Sequence, residues 1–313
     1  MSARTPIIID TDPGIDDAIA LAMALFDDRL DVRLITTAAG NVDVAKTTDN
    51  ALKLLEFWGL DVPVAVGAAR PLVREPQYET AVHGVSGMEG YAFPAPDRSQ
   101  LLPETAVEAM HRQLQASAEP VTIVCLAPMT NLALLLREHP EDQDRIARVV
   151  FMGGSTQRGN KGVLSEFNVH ADPEAADIVL RSGLPLVMLP LDAGWRALVY
   201  PEDSARIREL NETGAMIHGL LSRYRGIGLR NGLKMYDGCA IAYLLEPNLF
   251  TMQEAPVVVE LDGKYTSGAT LVDFRGYLGI DANVSVATDV DASGFTELLL
   301  NRIDACRRES GVG

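Results

Sequence analysis

Residues Asp10 to Asp17 read Asp-Thr-Asp-Pro-Gly-Ile-Asp-Asp, which places four carboxylates within eight residues. Two carboxylates about 4 Å apart repel by roughly 4 kcal/mol at an effective dielectric of 20, so four in one turn need compensation. A hard divalent cation supplies it, and an all-oxygen donor set suits Ca²⁺ or Mg²⁺ rather than zinc. Capping a helix would employ one or two acidic residues, not four. The three cysteines, Cys125, Cys239 and Cys306, are odd in number and lack Cys-x-x-Cys spacing. Neither a zinc site nor a disulfide framework is therefore expected, and Cys125, in an apolar run, reads as a buried small hydrophobe.

The elements that must hold these acids are legible on either side of them. Pro6-Ile7-Ile8-Ile9 reads as a short buried strand, Pro13-Gly14 as a turn, and Ala18 to Met23 as the start of a helix. Asp10 and Asp12 then share one side of a strand, because side chains alternate. Asp16 and Asp17 fall at a helix N-terminus, where the dipole favours anions. Further strands are predicted at Val32–Ala38, Val64–Val66, Val121–Leu126, Val149–Met152 and Leu186–Leu189. Helices are predicted at Asp16–Phe26, Val44–Trp58, Glu104–Gln115, Asn131–Arg137 and Pro173–Arg181, the last started by Asp172-Pro173. This alternation implies an α/β fold with a Rossmann-like core, a mostly parallel sheet covered by helices on both faces. Ligands of such sheets bind at the carboxyl ends of the strands, where Asp10, Asp12, Ala39-Gly40-Asn41 and Gly153-Gly154 lie.

Composition limits the partners. At 313 residues, 47% hydrophobic and 22% charged, the chain has the make-up of a soluble globular protein. A net charge of -16 argues against binding a nucleic-acid backbone and favours a neutral or cationic small molecule, or a metal. No apolar run approaches a membrane span and no cleavable leader is legible, so no membrane association and a reduced, cytoplasmic setting are expected. The Gly/Pro-rich stretch from Arg74 to Asp97, with Val82-His83-Gly84 in its middle, is expected to be a functional lid. A second irregular region is expected from Gly226 to Met235, after a helical Met216–Arg225. Pro256–Leu261, Leu271–Phe274 and Asn283–Ala287 read as a small antiparallel extension, followed by a closing helix from Gly294. No linker divides the chain, so residues 1–313 are expected to form a single domain.

The motifs, taken in order, resemble the inosine/uridine-type nucleoside hydrolases over nearly the whole chain. They are Asp10 to Asp17, Ala39-Gly40-Asn41, His83-Gly84 with Gly87, Ala127-Pro128-Met129-Thr130-Asn131, Phe151-Met152-Gly153-Gly154, Glu166-Phe167-Asn168 and Ala171 to Ala176. The resemblance implies the nucleoside hydrolase fold and a Ca²⁺-dependent N-ribohydrolase acting on ribonucleosides as a homodimer or homotetramer. It implies that Asp12 touches the ion and takes the proton of an ion-bound water, whose acidity the metal raises. Asp17, the carbonyl of Leu126 and Asp237 would complete the ligands, with Asp10 orienting them from behind. Asp16, Asn41, Asn160, Glu166 and Asn168 are implied to grip the ribose hydroxyls and to stabilise an oxocarbenium-like sugar, as in glycoside hydrolysis. Met152 would line the sugar face. Read locally, Asp237 could instead be a helix N-cap, Asn160 a turn residue, Asn168 a loop hydrogen-bonder and Met152 core filler.

The chain also departs from that pattern. Where many relatives have a histidine before the last metal aspartate, proposed to protonate the leaving base, this sequence has Tyr236. A phenol with pKa near 10 is a poor proton donor at neutral pH, so Tyr236 is expected to stack on the base or orient it. His83 is then the matched histidine near the base, or else an anchor for its loop. Leu191-Asp192-Ala193-Gly194-Trp195-Arg196 carries Gly194-Trp195 where relatives more often have Thr-His, an exchange with no explanation in the sequence alone. His111, His139 and His218 match nothing and are expected on surfaces or helix faces. Two rivals are a non-catalytic nucleoside or ribose sensor and a Mg²⁺-dependent aspartyl phosphatase. The second lacks the usual threonine two residues after the second aspartate, where Gly14 stands.

Overall fold

The computed structural model describes residues 4–224 and 229–307. Thirteen strands are found among them: β1 (Thr5–Thr11), β2 (Leu30–Thr37), β3 (Val64–Val66), β4 (Leu101–Thr105), β5 (Val121–Cys125), β6 (Ile146–Met152), β7 (Leu186–Leu189), β8 (Leu198–Val199), β9 (Leu233–Lys234), β10 (Phe250–Ala255), β11 (Val257–Val259), β12 (Thr270–Val272) and β13 (Val284–Val290). Nine of these form one sheet in the order β10-β13-β7-β6-β5-β1-β2-β3-β4. All its neighbours run parallel except β10, which pairs antiparallel with β13.

Alternation along β1 explains how a sheet buried on both faces is built. Ile7 and Ile9 enter one hydrophobic cluster and Ile8 the other, all three fully buried. The first cluster packs helices Ile15–Leu25, Val44–Trp58, Tyr236–Leu245 and Ala292–Ala305 against one face. The second packs Ala106–Ala116, Thr130–Glu138 and Pro173–Leu180 against the other. Ligands to such a sheet gather where neighbouring connections leave in opposite directions. Here β1 lies between β5 and β2, and its carboxyl end carries the acidic turn.

Two sequence expectations need correction. Asn283–Ala287 does not belong to the small extension: β13 runs in the main sheet between β7 and β10. Its residues feed both cores, Val284 and Val286 on one side and Ala287 and Val290 on the other, which a two-stranded ribbon could not bury. The antiparallel extension is β11 with β12 alone. Glu104 lies in β4 rather than in a helix, because Thr105 and Glu108 form a capping box that starts the helix at Ala106. Helix Pro201–Leu210, β10 and the short β8·β9 pair were not anticipated. The expected Met216–Arg225 helix falls within Glu212–Leu221 as far as Leu221, while Arg225 and Gly226 lie outside the described residues. In the stretch from Arg74 to Asp97 the one helix is Thr80–His83. Among the described residues no helix is long and apolar enough to cross a membrane.

Candidate active site

A cavity of about 340 Å³ opens at the carboxyl edge of the sheet. Asp12, Asp16, Asn41, His83, Leu126, Met152, Asn160, Glu166, Asn168, Tyr236 and Asp237 all line it. Asp10 and Asp17 sit directly behind this lining, fully buried. The structure thus brings together every site residue singled out in the sequence, from segments more than two hundred residues apart.

Backbone, hydroxyl and amide donors fix the acids. Asp17 accepts from Thr11 Oγ1 at 2.6 Å and from the Gly14 N–H at 2.8 Å. Asp12 Oδ2 accepts from the Asn41 N–H at 2.6 Å, leaving Oδ1 for other work. The Asn41 amide donates to the Asp12 carbonyl and to Asp17 Oδ2, both at 3.1 Å, so its Oδ1 is what remains for a ligand. Asp10 Oδ1 accepts from Thr36 Oγ1 at 2.6 Å and Asn131 Nδ2 at 2.7 Å, while its Oδ2 is buried with no hydrogen-bond partner among the described residues.

Electrostatics and geometry together test whether a cation fits. Oxygens of Asp16, Asp17 and Asp237 lie within 4.8 Å of one another, and all three residues are buried. Burial, then the charge of Asp17, pushes Asp12 and Asp16 well above the usual carboxylate range. Burial raises Asp17 as well, and Asp237 is raised by burial and then by Asp16, Asp17 and Asp12. Burial alone lifts Asp10 to about 6, against the pull of its two donors. Carboxylates so placed must share protons or hold a cation, and an all-oxygen set of this size fits a hard divalent ion. The carbonyl of Leu126, at the end of β5, is 2.7 Å from Asn168 Nδ2 and adds a neutral oxygen at the same edge.

The wall beyond β5 and β6 carries hydroxyl-binding groups. Glu166 caps the short helix Phe167–Ala171, accepting from the N–H groups of Asn168 and Val169 and from that of Gly154 at 2.9 Å. Burial still lifts its carboxyl to about 7 despite these donors. Asn168 is pinned by the carbonyls of Leu126 and Met152, and Asn160 Oδ1 accepts from the Phe167 N–H at 2.9 Å. Lys161 makes an ion pair with Glu79, which lines the cavity. That contact joins this wall to the stretch bearing His83.

His83 is 5% exposed, and its Nδ1 accepts from the Ile15 N–H at 3.2 Å. Gly14 makes this approach possible, since a Cβ there would lie 2.5 Å from His83 Nδ1. Burial lowers the imidazole to about 3, so it is neutral near pH 7 with its proton on Nε2. Tyr224 packs edge-on against His83 at 5.3 Å and its hydroxyl lies 3.5 Å from Asp16 Oδ2. Tyr236 stands across the cavity, its phenol pushed up by burial and by Asp16 and Glu166.

Several lining residues were missed in the sequence: Tyr224, Glu79, Val82, Phe167 and Lys234. Phe167 lies inside the Glu166-Phe167-Asn168 motif and Val82 beside His83 without a role having been read for either, while Tyr224, Glu79 and Lys234 sit in no motif, and Tyr224 meets Asp16 across 208 positions of chain. A second cluster, His111, His139 and Glu141, lies elsewhere, with the imidazoles stacked at 3.8 Å and 17°. Ring-plane lone pairs on stacked imidazoles run alongside each other rather than converging on one ion. His111 instead bonds Asp142 at 2.9 Å, and His218 bonds Ser204 at 2.8 Å.

A parallel sheet with a buried carboxylate turn at its central carboxyl edge, facing amide- and ring-lined walls, defines a hydrolase-type pocket for a small polar molecule. A family model described as inosine-uridine preferring nucleoside hydrolase matches residues 7–297, and the chain belongs to that family. It is 52% identical over 294 residues to the non-specific ribonucleoside hydrolase RihC of Escherichia coli O1:K1 / APEC, covering 94% of this chain and 96% of the relative. The fold is similar to that of a purine-preferring ribonucleoside hydrolase from Gardnerella vaginalis (TM-score 0.89, 28% identity, 96% of this chain and 99% of that one). It is similar also to a solved inosine-guanosine nucleoside hydrolase (TM-score 0.91, 28% identity, 96% and 99% covered).

Proposed function

We propose that this protein hydrolyses the N-glycosidic bond of ribonucleosides, releasing free nucleobase and ribose. The observation that carries the reading is the single cavity in which a buried carboxylate floor meets an amide- and carboxylate-lined wall and a ring-lined wall. Asp12, Asp17, Asp237 and the Leu126 carbonyl would hold Ca²⁺. When bound, such an ion makes a water molecule acidic enough to serve as nucleophile near neutral pH.

The rest falls to the chain's own groups. Asp12 Oδ1, free of the Asn41 N–H that occupies Oδ2, accepts the proton of the attacking water. Asp16, Asn41 Oδ1, Asn160, Glu166 and Asn168 grip the ribose, with Met152 against its face. Their negative potential favours the positive charge that grows on the sugar as the bond to the base lengthens. Asp10, held by Thr36 and Asn131, keeps the acidic turn in register from behind. His83 and Tyr236 face the base. The same family resemblance carries Ca²⁺ as resident ion, a homodimer or homotetramer, a cytoplasmic location and one domain over residues 1–313.

A panel of purine and pyrimidine ribonucleosides, deoxynucleosides and nucleotides, assayed for released reducing sugar, tests the proposal. Ribose release from at least one ribonucleoside is expected. Saturable nucleoside binding with no ribose released would replace a hydrolase with a sensor.

A further inference from the structure

The extended segment that leads into helix Tyr236–Leu245 sorts its side chains by alternation. Leu233 and Met235 are buried in the core, and the Met235 N–H donates to the Ala197 carbonyl at 2.9 Å, continuing the pairing of β9 with β8. Successive side chains of an extended chain point to opposite sides, so Lys234 is turned away from that core. It lines the cavity, half-buried, as does Tyr236 two residues further on. Its Nζ lies 6.0 Å from the centroid of the Tyr236 ring. That ring is closely seated in turn, since a Cβ on Gly194 would fall 2.3 Å from its Cδ1 and 2.8 Å from its Cε1. The two departures from the family's pattern, at Gly194 and at Tyr236, thus touch each other.

Charge is spread unevenly over this cavity. Among the described residues its lining holds five carboxylates, Asp12, Asp16, Glu79, Glu166 and Asp237, and a single cation, Lys234. Glu79 is matched by Lys161. No carboxylate among the described residues pairs with Lys234, which keeps to the Tyr236 ring instead. The cavity is therefore negative at its floor and positive at the Tyr236 wall. The other two polar groups on the base side carry no charge near pH 7, because burial keeps His83 neutral and pushes the Tyr236 phenol up.

We infer that the Lys234 ammonium takes up the negative charge of the departing nucleobase, donating a charged hydrogen bond to a base oxygen or ring nitrogen. The inference rests on the proposed hydrolase reading, which puts the sugar over the acidic floor and the base against the Tyr236 wall. As the C1′–N bond breaks, its electron pair passes to the base and positive charge grows on the sugar. The attacking water gives its oxygen to C1′ and its proton to Asp12. Acids at one end and a cation at the other favour this separated charge over the neutral substrate, and only such a difference lowers a barrier. The ammonium keeps its proton throughout, and the base, leaving as an anion, is protonated by solvent water.

The experiment compares Lys234→Met, Lys234→Gln and Lys234→Arg on uridine, on inosine and on para-nitrophenyl riboside, whose nitrophenolate is already a stable anion. Lys234→Met keeps an unbranched chain against the Tyr236 ring, and thermal melting checks that each variant is folded. On the natural nucleosides it should lose about tenfold to a hundredfold in kcat, the size of one charge-assisted hydrogen bond, with KM changed by no more than about threefold. Lys234→Gln, a donor without charge, should fall between Lys234→Met and the wild type, and Lys234→Arg should stay within about threefold of the wild type. On the nitrophenyl riboside every loss should stay within about threefold. Wild-type kcat in Lys234→Met, a loss carried by KM alone, or equal losses on both kinds of substrate would overturn the charge role while leaving the hydrolase intact. An arginine variant as damaged as the methionine variant would overturn it too, by making the side chain a packing element. A wild-type protein that releases ribose from no nucleoside would overturn the hydrolase reading, and this inference with it.

Discussion

Replacing His83 by glutamine should flatten a pH dependence of stability that the wild-type protein owes to one buried ring. His83 is 5% exposed and takes its only described hydrogen bond, from the Ile15 N–H, as an acceptor. Burial lowers its pKa from 6.5 to about 3. The folded value therefore lies below the unfolded one, and between the two the unfolded chain binds more protons than the folded chain. Stability from this group is complete above the unfolded value and is lost as pH falls through that window. Between about pH 7.5 and about pH 5.5 the loss amounts to roughly 1.4 kcal/mol, from RT times the logarithm of the unfolded ring's protonation partition. Urea unfolding of wild type and His83→Gln at both pH values measures it, since every other titrating group cancels in the difference. The gap between the two proteins should narrow or reverse by that amount on acidification. An unchanged gap, or an imidazole that titrates near 6.5 by NMR in the folded protein, would refute the buried, neutral ring. With it would go the idea that His83 meets the base through Nε2–H rather than as an imidazolium.

Other outcomes follow from the same geometry. Purified protein should carry about one calcium ion per chain by elemental analysis and lose activity on chelation. Asp12→Asn should nearly abolish turnover with the far-ultraviolet circular dichroism unchanged, and active protein free of divalent ions would refute the site. 2′-Deoxynucleosides should react slower by powers of ten, because each unpaired polar group on the sugar wall costs on the order of 1–3 kcal/mol. Equal rates for uridine and deoxyuridine would refute those assignments. Asn131→Ala should lower stability by roughly 2–4 kcal/mol in urea, since its amide serves Asp10 Oδ1, the Thr37 carbonyl and the Ala68 N–H at once. A change under about 0.5 kcal/mol would mean that water replaces it there.

The part of the site that was legible in the sequence is the part made by consecutive residues at strand ends. Asp10 to Asp17 announce a charge density that no ordinary turn tolerates, and Pro13-Gly14 places it between a strand and a helix. Glu166 and Asn168 are similarly local, one capping the helix that displays the other. What stayed hidden depends on tertiary approach. Tyr224 has no neighbours in sequence that mark it, and its role beside Asp16 and His83 arises from distant segments meeting. The exchange at Gly194 was opaque because its cause, the ring of Tyr236, is 42 residues away and touches it only in the folded chain. β13 was misplaced for a related reason. Its alternation is compatible with a ribbon or a central strand, and only the presence of a second core decides.

The cavity's two walls differ in kind. One is rooted in the sheet: segments that leave the ends of β1, β2, β5 and β6 present the acids and amides, braced by bonds such as those from the Asn41 N–H to Asp12 and from Asn168 Nδ2 to the Leu126 and Met152 carbonyls. The other is assembled from connecting segments, with His83 on the stretch after β3, and Tyr224 and Tyr236 on either side of β9. Such a division separates inheritance from choice. The sugar end can stay constant across descendants while the base end is rewritten by a handful of substitutions in segments that carry little of the core. A new nucleobase preference is therefore reachable without disturbing the acidic floor, and Gly194 and Tyr236 are a pair whose members would have to change in company.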